Sequence, residues 1–241
     1  MRDDPRITSP EALESIGWGL SRDDRARIAR IEAELERGFA MLRDIEPAVS
    51  IFGSARARRE DPVYDAARGV ARAMARAGFN VLSGGGPGVM EAASRGCAEG
   101  NGVAVGLTIE LPDEQATNEF VERECRFHYF FARKLMFVRY SCAFLILPGG
   151  FGTLDETFEA LTLVQTHKIP HFPILLFADP YWDGLLRQLD EMVARGAISA
   201  HDRAQVRQFS SAEEAVEIVH RSHENLRAAR HKPGLHKRRA V

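Results

Sequence analysis

The chain has 241 residues, with 32 basic and 34 acidic side chains and a formal net charge of −2. That balance argues against a nucleic-acid partner, and the length suits one α/β domain with a substantial core. Cys97, Cys125 and Cys142 form no CxxC pair, the first residues show no apolar leader, and no run approaches the roughly 20 apolar residues of a membrane span, so a cytoplasmic protein with free thiols and no membrane association is expected.

Residues 1–46 carry no strand pattern and read as an N-terminal helical extension. Ser21-Arg22-Asp23-Asp24 offers a helix cap, and Ile28, Ile31, Leu35, Phe39 and Leu42 recur at three- and four-residue spacing, so one face packs on the domain or on a partner subunit. From residue 47 strands and helices alternate. Strands are predicted over Val49–Phe52, Phe79–Leu82, Val103–Leu107, Glu124–Phe127, Ala143–Leu147 and Pro173–Phe177. Helices are predicted over Tyr64–Ala77, Val89–Glu99, Phe130–Tyr140, Thr157–Gln165, Trp182–Ala194 and Ala212–His220. Continuous apolar strands separated by helices imply a Rossmann-like, doubly wound parallel sheet with helices on both faces. Residues 47–222 are expected to form this domain, and 223–241 read as a basic, solvated, disordered tail.

Such sheets bind ligands outside the carboxyl ends of their strands. Three strand-to-helix turns there carry glycine or small residues: Gly53-Ser54-Ala55-Arg56, Ser83-Gly84-Gly85-Gly86-Pro87-Gly88 and Pro148-Gly149-Gly150-Phe151-Gly152-Thr153. A glycine turn opening a helix lets the backbone approach an oxyanion, presents free N–H groups and adds the helix dipole. Neither Gly-x-Gly-x-x-Gly after the first strand nor Gly-Lys-Ser/Thr is present, so a monophosphate is a better candidate than a dinucleotide or ATP. Gly84, Gly85 and Gly86, and the run Gly149, Gly150, Phe151, Gly152, Thr153, Leu154 and Asp155, are the candidate ligand contacts.

Asp155 and Glu156 follow the third turn directly. A carboxylate repels a phosphate, so these acids suit another part of the ligand, such as sugar hydroxyls. The competing explanation is local: Thr153-x-x-Glu156 fits a capping box, and Asp155 suits the first turn of a helix. Capping does not explain the preceding Gly-Gly-x-Gly. Arg133 and Lys134 lie in the most aromatic segment of the chain, between His128-Tyr129-Phe130-Phe131 and Leu135-Met136-Phe137. Cations in such a setting are desolvated and paired, with a site carboxylate or with phosphate oxygens. His128, His167 and His171 lack metal spacing and suit structural roles. Met90 and Met136 suit packing better than ligand contact, with the lining of a base pocket as the alternative.

Gly84-Gly85-Gly86-Pro87-Gly88-Val89-Met90-Glu91, Phe131-Ala132-Arg133-Lys134 and Pro148-Gly149-Gly150-x-Gly152-Thr153-x-x-Glu156 together resemble the LOG (Lonely Guy) family of cytokinin riboside 5′-monophosphate phosphoribohydrolases, formerly misannotated as lysine decarboxylases. The resemblance spans about residues 48–220, and the helical extension looks like that of the longer members. It implies hydrolysis of the N-glycosidic bond of AMP or an N6-substituted AMP to the free base and ribose 5-phosphate, without metal or cofactor. By position, Gly150 to Thr153 would hold the phosphate, Arg133 and Glu156 would form the catalytic pair with Lys134 beside them, and Glu110 and Thr162 would be further substrate contacts. The family forms dimers with sites near the subunit interface, so a homodimer or larger homo-oligomer is implied. Two alternatives remain open: a broad purine or pyrimidine monophosphate nucleosidase, and a non-catalytic molybdenum-cofactor carrier, which would not need Arg133 with Glu156.

Overall fold

The computed structural model describes residues 20–111, 116–170 and 172–230. The expectations for the first residues, Pro112, His171 and the basic run from His231 lie outside these segments. The first described helix, α1 (Arg22–Leu42), opens on a capping box in which Ser21 and Asp24 satisfy each other's backbone donors. β1 (Ala48–Phe52), α2 (Pro62–Arg76), β2 (Asn80–Ser83), α3 (Val89–Glu99) and β3 (Ala104–Ile109) follow. Then come β4 (Arg123–Phe127), α4 (Phe130–Tyr140), β5 (Phe144–Ile146), α5 (Phe151–Gln165) and β6 (Ile174–Phe177). A 3-10 turn (Pro180–Trp182), α6 (Asp183–Ala194), α7 (Ala200–Arg203), β7 (Val206–Phe209) and α8 (Ala212–Arg230) complete the described fold.

The seven strands form one sheet of order β4-β3-β2-β1-β5-β6-β7, and every pairing is parallel. The chain winds outward from β1 to β4, returns to the centre at β5 and winds the other way. The switch point therefore lies between β1 and β5, where the exit loops of neighbouring strands diverge and open a crevice. Strand residues alternate between two cores, as period-2 geometry requires. Val49 and Ile51 join Tyr64, Val70, Met74, Val89 and Val219 under α2, α3 and α8. Phe52 and Phe144 join Leu42, Phe127, Phe137, Ala160 and Trp182 under α1, α4, α5 and α6.

Three expectations need correction. The helix after β5 starts at Phe151, not near Thr157, because the glycine turn is itself its first turn. The last helix does not stop at His220 but runs to Arg230, through the start of the supposed tail. Its extra turns are supported by Glu217–Arg221 and His220–Glu224 pairs one turn apart, and by the His223 ring, edge-on to Phe79 at 5.7 Å. β7 and α7 went unforeseen; β7 is an edge strand with only its end residues buried, so two polar positions masked it. On α1 the stripe facing the domain is Ile31, Glu34, Leu35, Gly38 and Leu42, while Ile28 and Phe39 are exposed.

In the core under α1, α4, α5 and α6, the Phe144 ring meets Phe52 at 4.9 Å and Phe172 at 5.2 Å, both edge-on. Phe144→Ala is expected to destabilise the fold by about 3–5 kcal/mol, read as a lower denaturation midpoint with an unchanged m-value.

Candidate active site

The exit loops of β1 and β5 meet at the switch point. Ser54 N–H donates to the Pro148 carbonyl at 2.9 Å. A side chain on Gly149 would strike Thr153 and come within 2.9 Å of the Gly53 carbonyl carbon, so only glycine lets the two loops close on each other. The turn after β2 joins them: Val89 N–H donates to the Ser54 carbonyl at 2.9 Å, and a Cβ on Gly84 would lie 3.8 Å from Arg133 Nη1.

The two glycine-rich turns differ in what they leave free. No side chain caps α5, and the first backbone bond of its opening turn runs from Leu154 N–H to the Gly150 carbonyl at 3.1 Å. The N–H groups of Phe151, Gly152 and Thr153 precede that bond and remain as unpaired helix donors. A Cβ on Gly150 or on Gly152 would meet nothing within 4 Å, so the turn faces open space. Tyr181 Oη donates to the Gly149 carbonyl at 2.6 Å, which holds that oxygen away from an approaching anion. In the β2–α3 turn, by contrast, the Gly85 N–H is engaged by Ser83 Oγ at 3.2 Å and Val89 N–H by Ser54. The Asn118 amide ties back the Gly85 and Gly86 carbonyls at 2.9 and 3.0 Å. Gly85, at φ +73°, shapes a wall of the crevice rather than a donor cradle.

Arg133 and Glu156 meet at 3.0 Å, Nη2 to Oε1, with side chains only 11% and 6% exposed. Both were candidates from sequence, and the fold brings them together from the first turn of α4 and the second turn of α5. Because α5 starts at Phe151, Thr153 lies inside the helix and no capping box exists; Glu156 turns its carboxylate to Arg133 instead. The guanidinium also lies 5.1 Å from the Phe130 ring centroid and 5.8 Å from that of Phe137. Its Nε is buried with no hydrogen-bond partner.

Burial dominates the electrostatics of this pair. Desolvation raises the Glu156 pKa, and the nearby Arg133 charge only partly offsets it. Desolvation likewise lowers the Arg133 pKa against the pull of Glu156 and Asp155. Lys134 reaches Asp155 and Glu159, each at 3.1 Å, which joins α4 to α5 and assigns Asp155 to this bridge. Leu154 packs partly into the core, and Phe151 is 94% exposed.

Glu110 and Thr162 do not join the pair. Glu110 leaves the end of β3 and holds Arg30 Nη2 and His128 Nδ1, each at 2.9 Å. The His128 hydrogen bond, then the charges of Arg30 and Arg126, keep its carboxyl below the usual carboxylate range. Thr162 is exposed and donates back to the Phe158 carbonyl at 2.8 Å, roughly 16 Å along the helix from Phe151 at 1.5 Å per residue. Asn118, Tyr181 and Glu34 were absent from the candidates. Only Glu34 left a trace in the sequence, an acid inside the apolar stripe of α1. Among the described residues, no three histidine, cysteine or carboxylate groups gather as a metal site. Burial pushes the Cys97 and Cys142 thiols up to about 12, far from a reactive thiolate.

Residues 90–219 match the family model described as "possible lysine decarboxylase". A "probable cytokinin riboside 5′-monophosphate phosphoribohydrolase" of Oryza sativa subsp. japonica is 32% identical over 156 residues, covering 64% of this chain and 74% of that protein. A cytokinin riboside 5′-monophosphate phosphoribohydrolase of Arabidopsis thaliana is 31% identical over 174 residues, 71% of this chain and 75% of that protein. Among solved structures, the molybdenum cofactor binding protein from the phototrophic bacterium Rippkaea orientalis aligns with TM-score 0.54 and 26% identity, covering 72% of this chain and 94% of that one. With more than half of its length inside the family model and plant relatives spanned over most of their own length, the chain belongs to the LOG family of phosphoribohydrolases.

Proposed function

We propose that this enzyme hydrolyses the N-glycosidic bond of AMP and of N6-substituted AMP, releasing the free base and ribose 5-phosphate. The observation that carries the reading is the buried Arg133–Glu156 pair, one helical turn beyond the uncapped start of α5. In this reading the N–H groups of Phe151, Gly152 and Thr153 bind the 5′-phosphate, helped by the helix dipole. The anchored phosphate sets the ribose across the crevice with C1′ before Glu156. As the bond to the base breaks, positive charge grows on the sugar ring, as in glycoside hydrolysis. The Glu156 carboxylate stabilises that charge and takes a proton from water, whose hydroxyl ends on C1′ while a proton ends on the departing base. A carboxylate whose pKa has been raised by burial is a stronger proton acceptor than a solvated one. Arg133 orients Glu156 through its Nη2 contact. Lys134 and Asp155 lock α4 to α5 at the crevice, and Gly84, Gly85 and Gly86 wall it.

A second reading, a molybdenum-cofactor carrier, draws on the 26% identical solved relative. A carrier would use the phosphate cradle and has no task for a desolvated acid. We further infer that the protein acts in the cytoplasm as a homodimer; no helix among the described residues is long and apolar enough to cross a membrane. Phe130, Phe131 and Leu135 on α4 and Phe158 on α5 are exposed, on helices joined by Lys134 at the crevice. An apolar surface of this kind beside the site suits a second copy.

Purified protein incubated with AMP is expected to yield adenine and ribose 5-phosphate by chromatography. Glu156→Gln should keep AMP binding while losing at least about a hundredfold in kcat, and adenosine should react far more slowly than AMP. Binding without any free base from any monophosphate would establish the carrier instead.

The raised Glu156 pKa fixes the sign of the pH dependence. The acid limb of kcat/KM should lie above the ordinary glutamate value of about 4.3. Arg133→Met removes the largest offset to desolvation and should move the Glu156 carboxyl titration, followed by carboxyl-carbon NMR, to still higher pH. A titration that moves down would refute burial as the main cause of the shift. Because the folded-state value is the raised one, the stabilising contribution of protonated Glu156 is full below the unfolded-state pKa and is lost as pH rises through the folded one.

Light scattering should give twice the chain mass. Phe131→Ser with Leu135→Ser should shift the mass toward that of one chain without unfolding it, and an unchanged mass would place the interface elsewhere.

A further inference from the structure

We propose that α1 braces the catalytic helix, with Glu34 as a positioning residue that holds the amino end of α4 and thereby the Arg133 guanidinium; the inference rests on Arg133 acting in catalysis. Glu34 and Glu156 are the only acids buried among the described residues, at 3% and 5% exposure. A buried carboxylate is retained where its oxygens are satisfied. Glu34 Oε1 accepts the His128 N–H at 3.1 Å and Oε2 accepts the Tyr129 N–H at 3.2 Å.

Those two N–H groups open α4, whose own N-cap residue, Tyr129, provides no capping side chain. Helix starts need an acceptor, and an anion there also matches the dipole. Here the acceptor comes from another helix, far away in sequence. The same Tyr129 extends the connection, since its carbonyl accepts the Arg133 N–H at 3.2 Å. Glu34, Tyr129 and Arg133 thus form one chain of contacts from the brace to the pair.

Further ties make α1 stiff against this end of the sheet. Arg30 approaches Glu34 at 3.5 Å and holds Glu110 at 2.9 Å, while Glu110 takes His128 from the other side. Tyr140 donates to the Phe39 carbonyl at 3.3 Å at the far end of α4. Arg37 donates to the Arg126 carbonyl at 2.8 Å, a contact to β4 that leaves α4 untouched. The phosphate cradle belongs to α5, so loosening α4 should disturb the reacting centre more than the anchor.

The test compares Glu34→Ala, Glu34→Gln and Arg37→Ala in the full chain. Glu34→Ala should lower kcat on the order of tenfold, since small misplacements of a reacting group cost this much or more, while KM for AMP stays within about threefold. Glu34→Gln, which keeps an acceptor oxygen, should recover part of the loss, and Arg37→Ala should leave kcat unchanged. Amide exchange over residues 128–134 should quicken in Glu34→Ala ahead of global unfolding. An unchanged kcat in folded Glu34→Ala, a KM that rises as far as kcat falls, or an equal loss in Arg37→Ala would overturn the proposal. Unaltered exchange over 128–134 would do so too, and that arm needs no turnover. Wild-type protein that hydrolyses no monophosphate would instead remove the hydrolase reading, with the exchange result still deciding whether Glu34 holds α4.

Discussion

The rest of the structure depends on a guanidinium and a carboxylate that have both been taken out of water. Desolvating Arg133 and Glu156 opposes the folded state, and their mutual attraction offsets only part of that penalty. Both shifts run in the direction that burial dictates, the acid raised and the base lowered. A fold that wanted only stability would have filled this space with apolar side chains. Here the aromatic rings of Phe130 and Phe137 lie near the guanidinium instead, and two helices from different parts of the chain are locked by Lys134 so that the pair stays in register.

The parallel sheet is what makes that register possible. All strands point one way, so the strand-to-helix glycine turns open on one edge, and the winding reversal between β1 and β5 leaves a crevice there. The turns that border it have divided their tasks by hydrogen bonding. After β2, the backbone donors of Gly85 and Val89 are engaged by Ser83 Oγ and the Ser54 carbonyl. After β5, Tyr181 withdraws a carbonyl and nothing withdraws the N–H groups, so the turn keeps a positive face. Similar glycine content leaves different backbone groups free, because neighbouring residues decide which of them are already engaged.

This division explains what was legible in the sequence. The α/β alternation, the parallel sheet and the α3 and α4 boundaries followed from apolar runs and their periods, and Arg133 stood out as a cation among aromatic residues. Thr153-x-x-Glu156, the local alternative to a functional acid, forms no cap because the helix already begins at Phe151, six residues before the predicted start at Thr157. β7 was hidden because an edge strand buries little. Asn118, Tyr181 and Glu34 act across long sequence separations, and each is an ordinary residue in its own neighbourhood. Glu110 and Thr162, suggested by resemblance alone, stand apart from the pair within one chain, Glu110 held by Arg30 and His128 and Thr162 turned to the surface.

The opening turn of α5 and Glu156 belong to a single rod. From Gly152 to Glu156 the axis advances roughly 6 Å, four residues at 1.5 Å each, with no hinge between them. The free amino end of the helix and the acid are therefore two marks on one gauge, and under the proposed hydrolysis a guest would be accepted or refused by the span between its charged end and its reacting carbon. Adding or removing one residue between the marks would swing the acid about 100° around the rod, away from Arg133. The helix thus fixes the distance and the angle between its free amino end and the acid, and a single inserted residue would change both.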